Sequence, residues 1–432
     1  MDFAIPQELV DYLVTMDVFI EEKIKPLENQ DDNIRFFDHR REHARTDWDN
    51  QGLPRAEWSA LLEKAATLAD EAGFLRYAMP KEFGGQGGSN LWMAVIREHL
   101  TSKGLGLHCD LQTEHAIVGN FPIPGMLRDF GTEQQKQELL AGSLERKVMI
   151  AFGLTEPDHG SDATHMETTA VPETRDGVDG WLIQGEKMWT SGMNHASHCL
   201  VFARTSGQPG AARGITGFLV PVGTEGLDVV EYLWTFNMPT DHPRVAIRNC
   251  WVPGSALFGD IDAGLALAQA FVHENRIRQA ASSLGAAVYC IEESVKYARQ
   301  RKVFDGYLAQ NQAIQWPLVE LATQAEMLRQ LIRKTAWEMD QMPHPEVEKR
   351  LSDKVSMCNY FANRLCCEAA DRAMQVHGGI GYSRHKPFEH IYRHHRRYRI
   401  TEGAEEIQMR KVAGYLFGYM GPRKWAVEDA QG

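Results

Sequence analysis

The chain has 432 residues, of which 43% are hydrophobic and 24% are charged, values close to those of folded soluble proteins. This composition excludes disordered, fibrous and collagen-like proteins, and the length predicts about two or three domains. The net charge of -12 argues against a nucleic-acid-binding protein, because such proteins usually carry a basic surface.

The cysteines and the first residues bear on the compartment. The 7 cysteines form no C-x-x-C pair, which favours a reducing environment. No uncharged apolar stretch is long enough to cross a bilayer, and residues 1–10 resemble neither a secretory leader nor an Arg-rich presequence. We therefore expect a cytoplasmic protein with no membrane or nucleic-acid partner.

Residues 1–148 are predicted to form an N-terminal helical domain. Apolar residues recur at helical spacing from Leu9 to Ile24 and again from Trp58 to Ala65. Between these helices, residues 28–54 are polar and lack a clear apolar period. We interpret this stretch as a loop with room for one short helix, consistent with an insertion.

Residues 149–262 are predicted to form a middle β domain, a barrel or a sandwich. Short β-rich runs alternate there with Gly, Pro and Asp, at residues 181–183, 200–203, 217–220, 227–232 and 245–252. From residue 263 to 432 helical spacing resumes in long segments, which predict a C-terminal four-helix bundle. The fold class is therefore α+β, in the order helices, sheet, helices.

Several common sites are not encoded. Two glycine-rich stretches, residues 84–88 and 377–381, do not spell the G-x-G-x-x-G fingerprint of a dinucleotide site. The chain also has no Walker motif, no histidine spacing typical of a metal site and no G-x-S-x-G elbow. Kinase, serine-hydrolase and metal-centred functions are therefore disfavoured.

Two other segments could bind a polar heterocycle. Residues 151–162 predict a strand that runs into a polar turn, where the hydroxyls of Thr155 and Ser161 could bind a ligand or cap their own backbone. Residues 187–192 lie at a strand end, where the two-residue period places Trp189 and Ser191 on one face. An indole and a hydroxyl could face one ligand there, although a strand tryptophan is more often part of the core.

Taken in order, six segments resemble the acyl-CoA dehydrogenase family over nearly the whole chain. They are T-E-P-x-x-G-S-D at 155–162, K-M-W-T-S at 187–191, Arg276 with Leu284-Gly285, the stretch 297–304 followed by Gln312, Q-V-H-G-G-I-G-Y at 375–382, and I-T-E-G-A-E-E-I at 400–407. The family has the helix, sheet, helix fold that the apolar patterns predict independently.

The resemblance implies an FAD cofactor bound between the β domain and the C-terminal helices, with Trp189 beside the isoalloxazine and Ser191 near N5. It also implies that some of the cofactor contacts come from a neighbouring subunit, so we expect a homotetramer or at least a dimer. The cofactor-binding residues implied are Phe152, Leu154, Thr155, Ser161, Trp189, Ser191, Arg301, Phe304, Gln312, Gln375, Gly379 and Glu406. For Arg301, a guanidinium fork suits a pyrophosphate, although a solvated surface charge is the alternative.

Glu402 matches the family's catalytic base, which removes the α proton of an acyl-CoA thioester while flavin N5 accepts the β hydrogen. Ser161, Arg276 and Gly403 are the implied substrate-binding residues. The competing interpretation is that Thr401 caps a helix and Glu402 is an ordinary first-turn acid. Some relatives carry the base immediately before the arginine that matches Arg276, where this chain has Asn275.

The chain departs from the usual family pattern at several positions. Thr401, Ala404 and Asp305 replace an aromatic residue, a threonine and a glycine, and His385 and His394 replace acids. We expect these changes to affect acyl specificity more than the reaction. The run from Arg393 to Arg399 is consequently very basic, and we interpret it as a solvated cationic face, with pairing to acids or CoA phosphates as the alternative.

The leading functional hypothesis is α,β-dehydrogenation of an acyl-CoA, with electrons passed to an electron-transfer flavoprotein. Two alternatives stay open: a flavin oxidase or monooxygenase of the same fold that uses O2, and a helical scaffold without activity. Rapid reoxidation of the reduced flavin by air indicates the first alternative, and a colourless protein the second.

Overall fold

The computed structural model describes residues 4–109, 117–119, 122–269 and 272–420. By its internal contacts the chain divides into two compact units. The helical unit comprises residues 1–44, 56–120 and 272–432, and the β unit comprises residues 45–55 and 121–271. Residues 121–148 group with the β unit, and the domain limits drawn from the sequence at 148 and 262 stay a prediction.

The N-terminal part is helical, as its apolar spacing predicts. Its elements are α1 (Gln7–Phe19), α2 (Lys25–Asn29), α3 (Arg41–Arg45), β1 (Thr46–Asp47), β2 (Leu53–Pro54), α4 (Ala56–Glu71) and α5 (Asn90–Ser102). The polar stretch 28–54 is more regular than the predicted loop, since it holds a 3-10 turn, α3 and the β1–β2 pair. Phe36 gives it an apolar anchor, because the ring is buried with its centroid 5.2 Å from that of Trp58.

The β unit is built on one eight-stranded sheet. Before the sheet come α6 (Pro122–Phe130), α7 (Glu133–Gln135) and α8 (Ala141–Leu144). The strands are β3 (Ile150–Gly153), β4 (Thr169–Arg175), β5 (Val178–Met188), β6 (His198–Arg204), β7 (Ile215–Pro221), β8 (Leu227–Tyr232), β9 (Pro243–Pro253) and β10 (Leu257–Phe258), followed by α9 (Gly264–Gln269). Their order is β10-β7-β6-β4-β5-β9-β8, and β3 pairs in parallel with β6.

Strand β6 is apolar on both faces, and alternation along it assigns each face to a different core. Val201 and Ala203 contribute to one apolar cluster, together with Phe218 of β7. Leu200 and Phe202 point to the other side, where they join a cluster that includes Leu127 of α6. The continuous apolar run in the sequence is therefore a strand covered on both sides.

The C-terminal part is a set of long helices packed around an alanine-rich core. Its elements are α10 (Val272–Gln300), β11 (Lys302–Val303), β12 (Gly306–Tyr307), α11 (Gln312–Asp340), α12 (His344–His377), α13 (Gly379–Tyr382), α14 (Phe388–Arg397) and α15 (Glu405–Leu416). Gly285 allows α10 to approach α5 closely, because a Cβ there would lie 2.2 Å from the carbonyl oxygen of Glu98. The predicted α+β class, with helices, a sheet and helices in that order, is confirmed.

Two further features concern the whole of the described structure. All seven cysteines are buried, and none of them forms a disulfide bond in the described structure. Among the described residues, we find no helix with both the length and the apolar character that a bilayer crossing requires.

Candidate active site

Glu402 lies in the loop between α14 and α15, in an uncommon backbone conformation. Its φ is 55°, and the following Gly403 has a φ of 91°, so two consecutive residues are left-handed. Helix α15 begins only at Glu405, and its N-cap, Ala404, makes no side-chain capping bond. The interpretation of Glu402 as a first-turn acid capped by Thr401 is therefore wrong.

Arg276 of α10 holds the backbone of Glu402. Its Nε and Nη2 donate to the Glu402 carbonyl oxygen at 3.0 and 2.5 Å. Burial lowers the pKa of this arginine, and the negative charges of Glu402 and Glu348 only partly oppose that effect. A guanidinium remains charged even so, and two donors on one carbonyl fix a loop that would otherwise be strained.

Gly403 is required for the same close approach. A Cβ at this position would lie 3.0 Å from Nη2 of Arg276, in addition to the cost of a positive φ. The sequence E-G therefore has a structural reason here, besides the access for a thioester that the family resemblance implies.

The side chain of Glu402 has its own contact. Asn275, the residue before Arg276, donates from Nδ2 to Oε1 of Glu402 at 2.9 Å. One helix thus supplies two neighbouring side chains to one residue, Asn275 to the carboxylate and Arg276 to the carbonyl.

A closed ring of hydrogen bonds surrounds the loop, which we call the Asn359 ring. Gln408 of α15 donates from Nε2 to the Gly403 carbonyl at 2.7 Å and to Oδ1 of Asn359 at 2.9 Å. Asn359 of α12 donates from Nδ2 to the carbonyl oxygen of Arg276 at 2.9 Å. The ring closes there, because Arg276 itself donates to the carbonyl oxygen of Glu402 in the loop. Asn359 and Gln408 are buried, so these bonds are not exchanged with water and hold α10, α12 and α15 in register with the loop.

Further buried polar groups extend the ring. Asn363 donates to Oδ1 of Asn359 at 3.1 Å and accepts from the Ser283 hydroxyl at 2.6 Å. That hydroxyl lies 2.8 Å from Nδ1 of His395. Because the Ser283 proton is committed to Asn363, we assign the His395 proton to Nδ1. Burial lowers the pKa of His395 to about 3, so the imidazole is neutral.

Two arginines of the basic run 393–399 are paired with acids, and no residue of the run is exposed, so its interpretation as a solvated face is wrong. Arg393 bonds Glu389 at 2.8 Å and lies 3.5 Å from Glu42, while Arg399 donates to both oxygens of Glu405 at 2.9 and 2.8 Å. The alternative, pairing with acids, is what the structure shows. The acid Glu42 is more than 300 positions away in the chain, which is why the local charge pattern could not identify it.

In the β unit, the segment around Trp189 differs from the predicted strand end. Strand β5 ends at Met188, and Trp189 has a φ of 62°, so the two-residue period does not continue to Ser191. The indole is 48% exposed and is not a core side chain. Nδ1 of His242 lies 2.7 Å from the Ser191 hydroxyl and 3.1 Å from a carboxylate oxygen of Asp241.

A buried ion pair supports the turn after β3. Nζ of Lys187 lies 2.8 Å from Oε1 of Glu156, and both side chains are almost fully buried. Glu156 also accepts from the backbone N–H groups of Glu167 and Thr168 at 2.7 and 2.9 Å. Burial acts to raise the pKa of Glu156, but the charge and hydrogen bond of Lys187 outweigh it and the pKa is lowered.

The other predicted contacts in the β unit have different surroundings. Phe152 packs against Phe202 with ring centroids 4.9 Å apart, and Leu154 packs on the same apolar cluster. The Thr155 carbonyl accepts from the Met188 N–H at 2.8 Å, and Ser161 is exposed. Backbone bonding thus ties the polar turn to the end of β5.

The predicted cofactor residues of the helical unit are all exposed: Arg301, Phe304, Gln312, Gln375, Gly379 and Glu406. Arg301 and Phe304 follow the end of α10, and Gln375 and Gly379 lie on either side of the end of α12. These two helix ends are close together, because Tyr297 stacks on His377 with ring centroids 4.4 Å apart. Phe304 is fully exposed, with a φ of 50°. These side chains do not form a closed site among the described residues of this chain.

Sequence reasoning missed Asn359, Asn363, Gln408, Ser283 and His242. The available signal was weak. Asn359 and Asn363 are four residues apart, so they share one face of a predicted helix, and they have apolar residues as neighbours there. Polar residues at such positions indicate a buried network only once the partner helices are placed.

Comparisons with known proteins agree with this architecture. Models of the N-terminal, middle and C-terminal domains of acyl-CoA dehydrogenases match residues 28–147, 151–246 and 262–417. A probable acyl-CoA dehydrogenase of Mycobacterium tuberculosis is 32% identical over 96% of both chains. A subunit of the caffeyl-CoA reductase-Etf complex of Acetobacterium woodii is 29% identical over 82% of this chain and 89% of its own.

A solved structure extends the comparison to three dimensions. Butyryl-CoA dehydrogenase from Megasphaera elsdenii superposes with a TM-score of 0.76 at 25% identity, over 96% of this chain and 100% of that one.

Proposed function

Because the chain belongs to the acyl-CoA dehydrogenase family, we propose that it converts an acyl-CoA thioester to the trans-2-enoyl-CoA with FAD as the hydride acceptor. The chain is an oxidoreductase of this family. The observation that carries the specific proposal is the constrained Glu402, whose backbone and carboxylate are each held by a separate hydrogen bond from α10.

Glu402 is proposed as the base that takes the proton from Cα. A base needs a fixed position relative to the carbon acid, and the left-handed loop held by Arg276 supplies one. Gly403 has no side chain to obstruct the thioester. The Glu402 N–H is proposed to polarise the carbonyl oxygen of the thioester. Ser161 is also proposed to contact the substrate.

The residues present suit FAD. The exposed indole of Trp189 offers a flat apolar face, and the Ser191 hydroxyl beside His242 offers a donor for a ring nitrogen. Thr155 and Ser161 supply further hydroxyls, and the exposed Arg301 supplies a guanidinium for a pyrophosphate. When bound, FAD supplies the acceptor for the β hydrogen.

The proposed partners are an electron-transfer flavoprotein and further copies of this chain, as a homotetramer or a dimer. The name of the Acetobacterium woodii relative includes Etf, which supports an electron-transferring partner. The fully exposed Phe304 supports a neighbouring subunit, because it is one of the residues to which the family resemblance assigns a cofactor contact and its side chain is open to another chain. A cytoplasmic location remains part of the proposal.

The direction of the reaction has a second candidate. The Acetobacterium woodii relative is named as a subunit of a reductase complex, which also supports reduction of an enoyl-CoA, in which protonated Glu402 would give the proton to Cα and reduced flavin would supply the hydride. The two directions share the transition state, and the redox partner decides between them.

The test is an anaerobic titration of the purified protein with saturated acyl-CoAs of increasing length, followed by bleaching of the flavin absorbance. We expect Glu402→Gln to retain FAD and to lose bleaching and α-proton exchange by at least about 1000-fold, because an amide cannot accept the proton. Glu274→Gln, which changes an acid elsewhere on α10, is the matched control and should bleach normally.

Three results would contradict the proposal. Normal bleaching in Glu402→Gln would exclude this residue as the base, and a colourless wild-type protein would exclude a flavoenzyme. Fast reoxidation of the reduced flavin by air would support an oxidase in place of a dehydrogenase.

A further inference from the structure

Asn275 and Arg276 are adjacent on α10 but act on different parts of Glu402. The arginine donates to the backbone carbonyl, at 3.0 and 2.5 Å, and belongs to the Asn359 ring. The asparagine donates to the carboxylate oxygen Oε1, at 2.9 Å, and lies outside that ring. The contact of Asn275 is therefore separable from the contacts that hold the loop.

The bonds of the ring reach the backbone carbonyls of Glu402 and Gly403, whereas the bond from Asn275 reaches the carboxylate of Glu402. Glutamate loses considerable rotamer freedom when it is ordered, and a carboxylate that rotates spends only part of its time facing a substrate carbon. A hydrogen bond to an ionised group contributes about 1.5–3 kcal/mol, which is enough to select one rotamer.

The chemistry of the donor suits a base. An amide adds no charge, so it orients the carboxylate without forming an ion pair that would reduce its proton affinity further. Among the charged side chains nearby in the sequence or the fold, Arg276 donates to the Glu402 carbonyl oxygen and Arg399 donates to Glu405. Glu348 is bonded to Lys411 at 2.9 Å and lies 2.9 Å from Nε2 of His273.

We propose that Asn275 is a positioning residue for Glu402, whose amide holds the carboxylate in the orientation that removes the substrate's α proton. This inference rests on the proposed function of Glu402 as the base. It adds a residue that acts through the base and does not itself exchange a proton.

The first test removes the donor. In Asn275→Ala, we expect single-turnover reduction of the bound flavin to slow by about 10- to 100-fold, the rate equivalent of the bond's free energy. The dissociation constant of the acyl-CoA should change less than about threefold, because only the orientation of the base is lost. The isotope effect for an α-deuterated substrate should increase, since proton removal becomes slower.

The second test replaces the amide with a carboxylate of the same shape. Asn275→Asp places a second negative charge at hydrogen-bond distance from Glu402, which raises the pKa of the pair. The acid limb of the pH profile for flavin reduction should therefore move up by about one unit or more, a change that a purely structural role would not produce. Glu274→Ala, on the neighbouring position of α10, is the control and should leave the rate and the profile unchanged.

The outcomes separate this inference from the function on which it rests. If wild type bleaches, Glu402→Gln does not, and both Asn275 variants behave as wild type, the inference alone is wrong. If Glu402→Gln bleaches normally, or wild type bleaches with no acyl-CoA, the proposed function fails and the inference with it. Should Asn275→Ala fold poorly, Asn275→Asp still decides the question, because it conserves volume and shape.

Discussion

The interiors of the two units are stabilised in different ways. The helical unit buries a connected set of neutral polar side chains, in which each is bonded to the next in the order Gln408, Asn359, Asn363, Ser283 and His395. The β unit buries mainly apolar side chains on both faces of β6, and its best-buried ion pair is Lys187 with Glu156. The helical unit thus contains a chain of coupled neutral bonds, whereas the turn after β3 in the β unit contains a buried charge pair.

This difference matches what each unit holds in place. A left-handed loop has no regular backbone ladder, so its two carbonyls need side-chain donors from neighbouring helices. The turn after β3 is adjacent to a sheet that already satisfies most of its backbone, and a single charged pair is enough to fix it. The comparison predicts that single substitutions have large, separate effects in the β unit and smaller, coupled ones in the helical unit.

The largest expected effect is in the β unit. Lys187→Met should lower the free energy of unfolding by about 3–5 kcal/mol, because it leaves the Glu156 carboxylate buried without its cation. Chemical denaturation followed by tryptophan fluorescence measures the loss. Lys147→Met, which breaks an exposed pair with Glu145, is the control and should leave the free energy of unfolding nearly unchanged. Equal losses of stability in the two variants would show that burial of the ion pair does not determine how much unfolding free energy is lost.

The next effect is a pH dependence in the helical unit. The pKa of His395 is lowered to about 3 by burial, below the value of about 6.5 for an unfolded histidine. Its contribution to stability is therefore complete above about pH 6.5 and is lost as the pH falls toward 3. The slope is about 1.4 kcal/mol per pH unit for this one proton.

His395→Asn tests that slope, because its amide can donate to Ser283 as the assigned Nδ1–H does but cannot take up a proton in this range. Unfolding measured from pH 7 to 4 should decline less steeply in this variant than in wild type. His385→Asn changes an exposed histidine and should leave the slope unchanged. An identical decline in His395→Asn and wild type would contradict a neutral buried imidazole.

The smallest effect compares two left-handed glycines, one in each unit. Gly177 has a φ of 78° and open space around its Cβ position, so Gly177→Ala should cost only the conformational strain, about 1 kcal/mol. Gly403→Ala adds a contact 3.0 Å from Nη2 of Arg276 and should cost about 1 kcal/mol more. Thermal melting of the two variants gives the difference in stability. A smaller loss of stability in Gly403→Ala than in Gly177→Ala would show that the Asn359 ring accommodates the added methyl group at little cost.

Much of the architecture could be predicted from local patterns. The helical spacing of residues 265–291 and the β-rich runs such as 217–220 depend on near neighbours in sequence, and the structure confirms both. The ordered family segments also singled out Glu402 as the candidate base, although neither its left-handed loop nor its φ of 55° was predicted.

The rest depends on contacts distant in sequence. The acid that pairs with Arg393 is Glu42, and the partner of Gln408 is Asn359, neither of which a local charge or apolar pattern can identify. Trp189 shows a local limit as well. The strand period was extended past Met188 to Ser191, three residues too far, because a positive φ outside glycine is uncommon and is not encoded in hydrophobicity.

Each unit contains buried cysteines whose chemical modification can report when that unit opens. Cys199 and Cys250 lie in the β unit, and Cys290, Cys358 and Cys366 lie in the helical unit. Burial raises the pKa of Cys199 and Cys358 to about 12, so in the folded protein these thiols are both covered and protonated. A thiol reagent can modify them only when the surrounding unit opens, and the order in which peptides gain mass records which unit opens first.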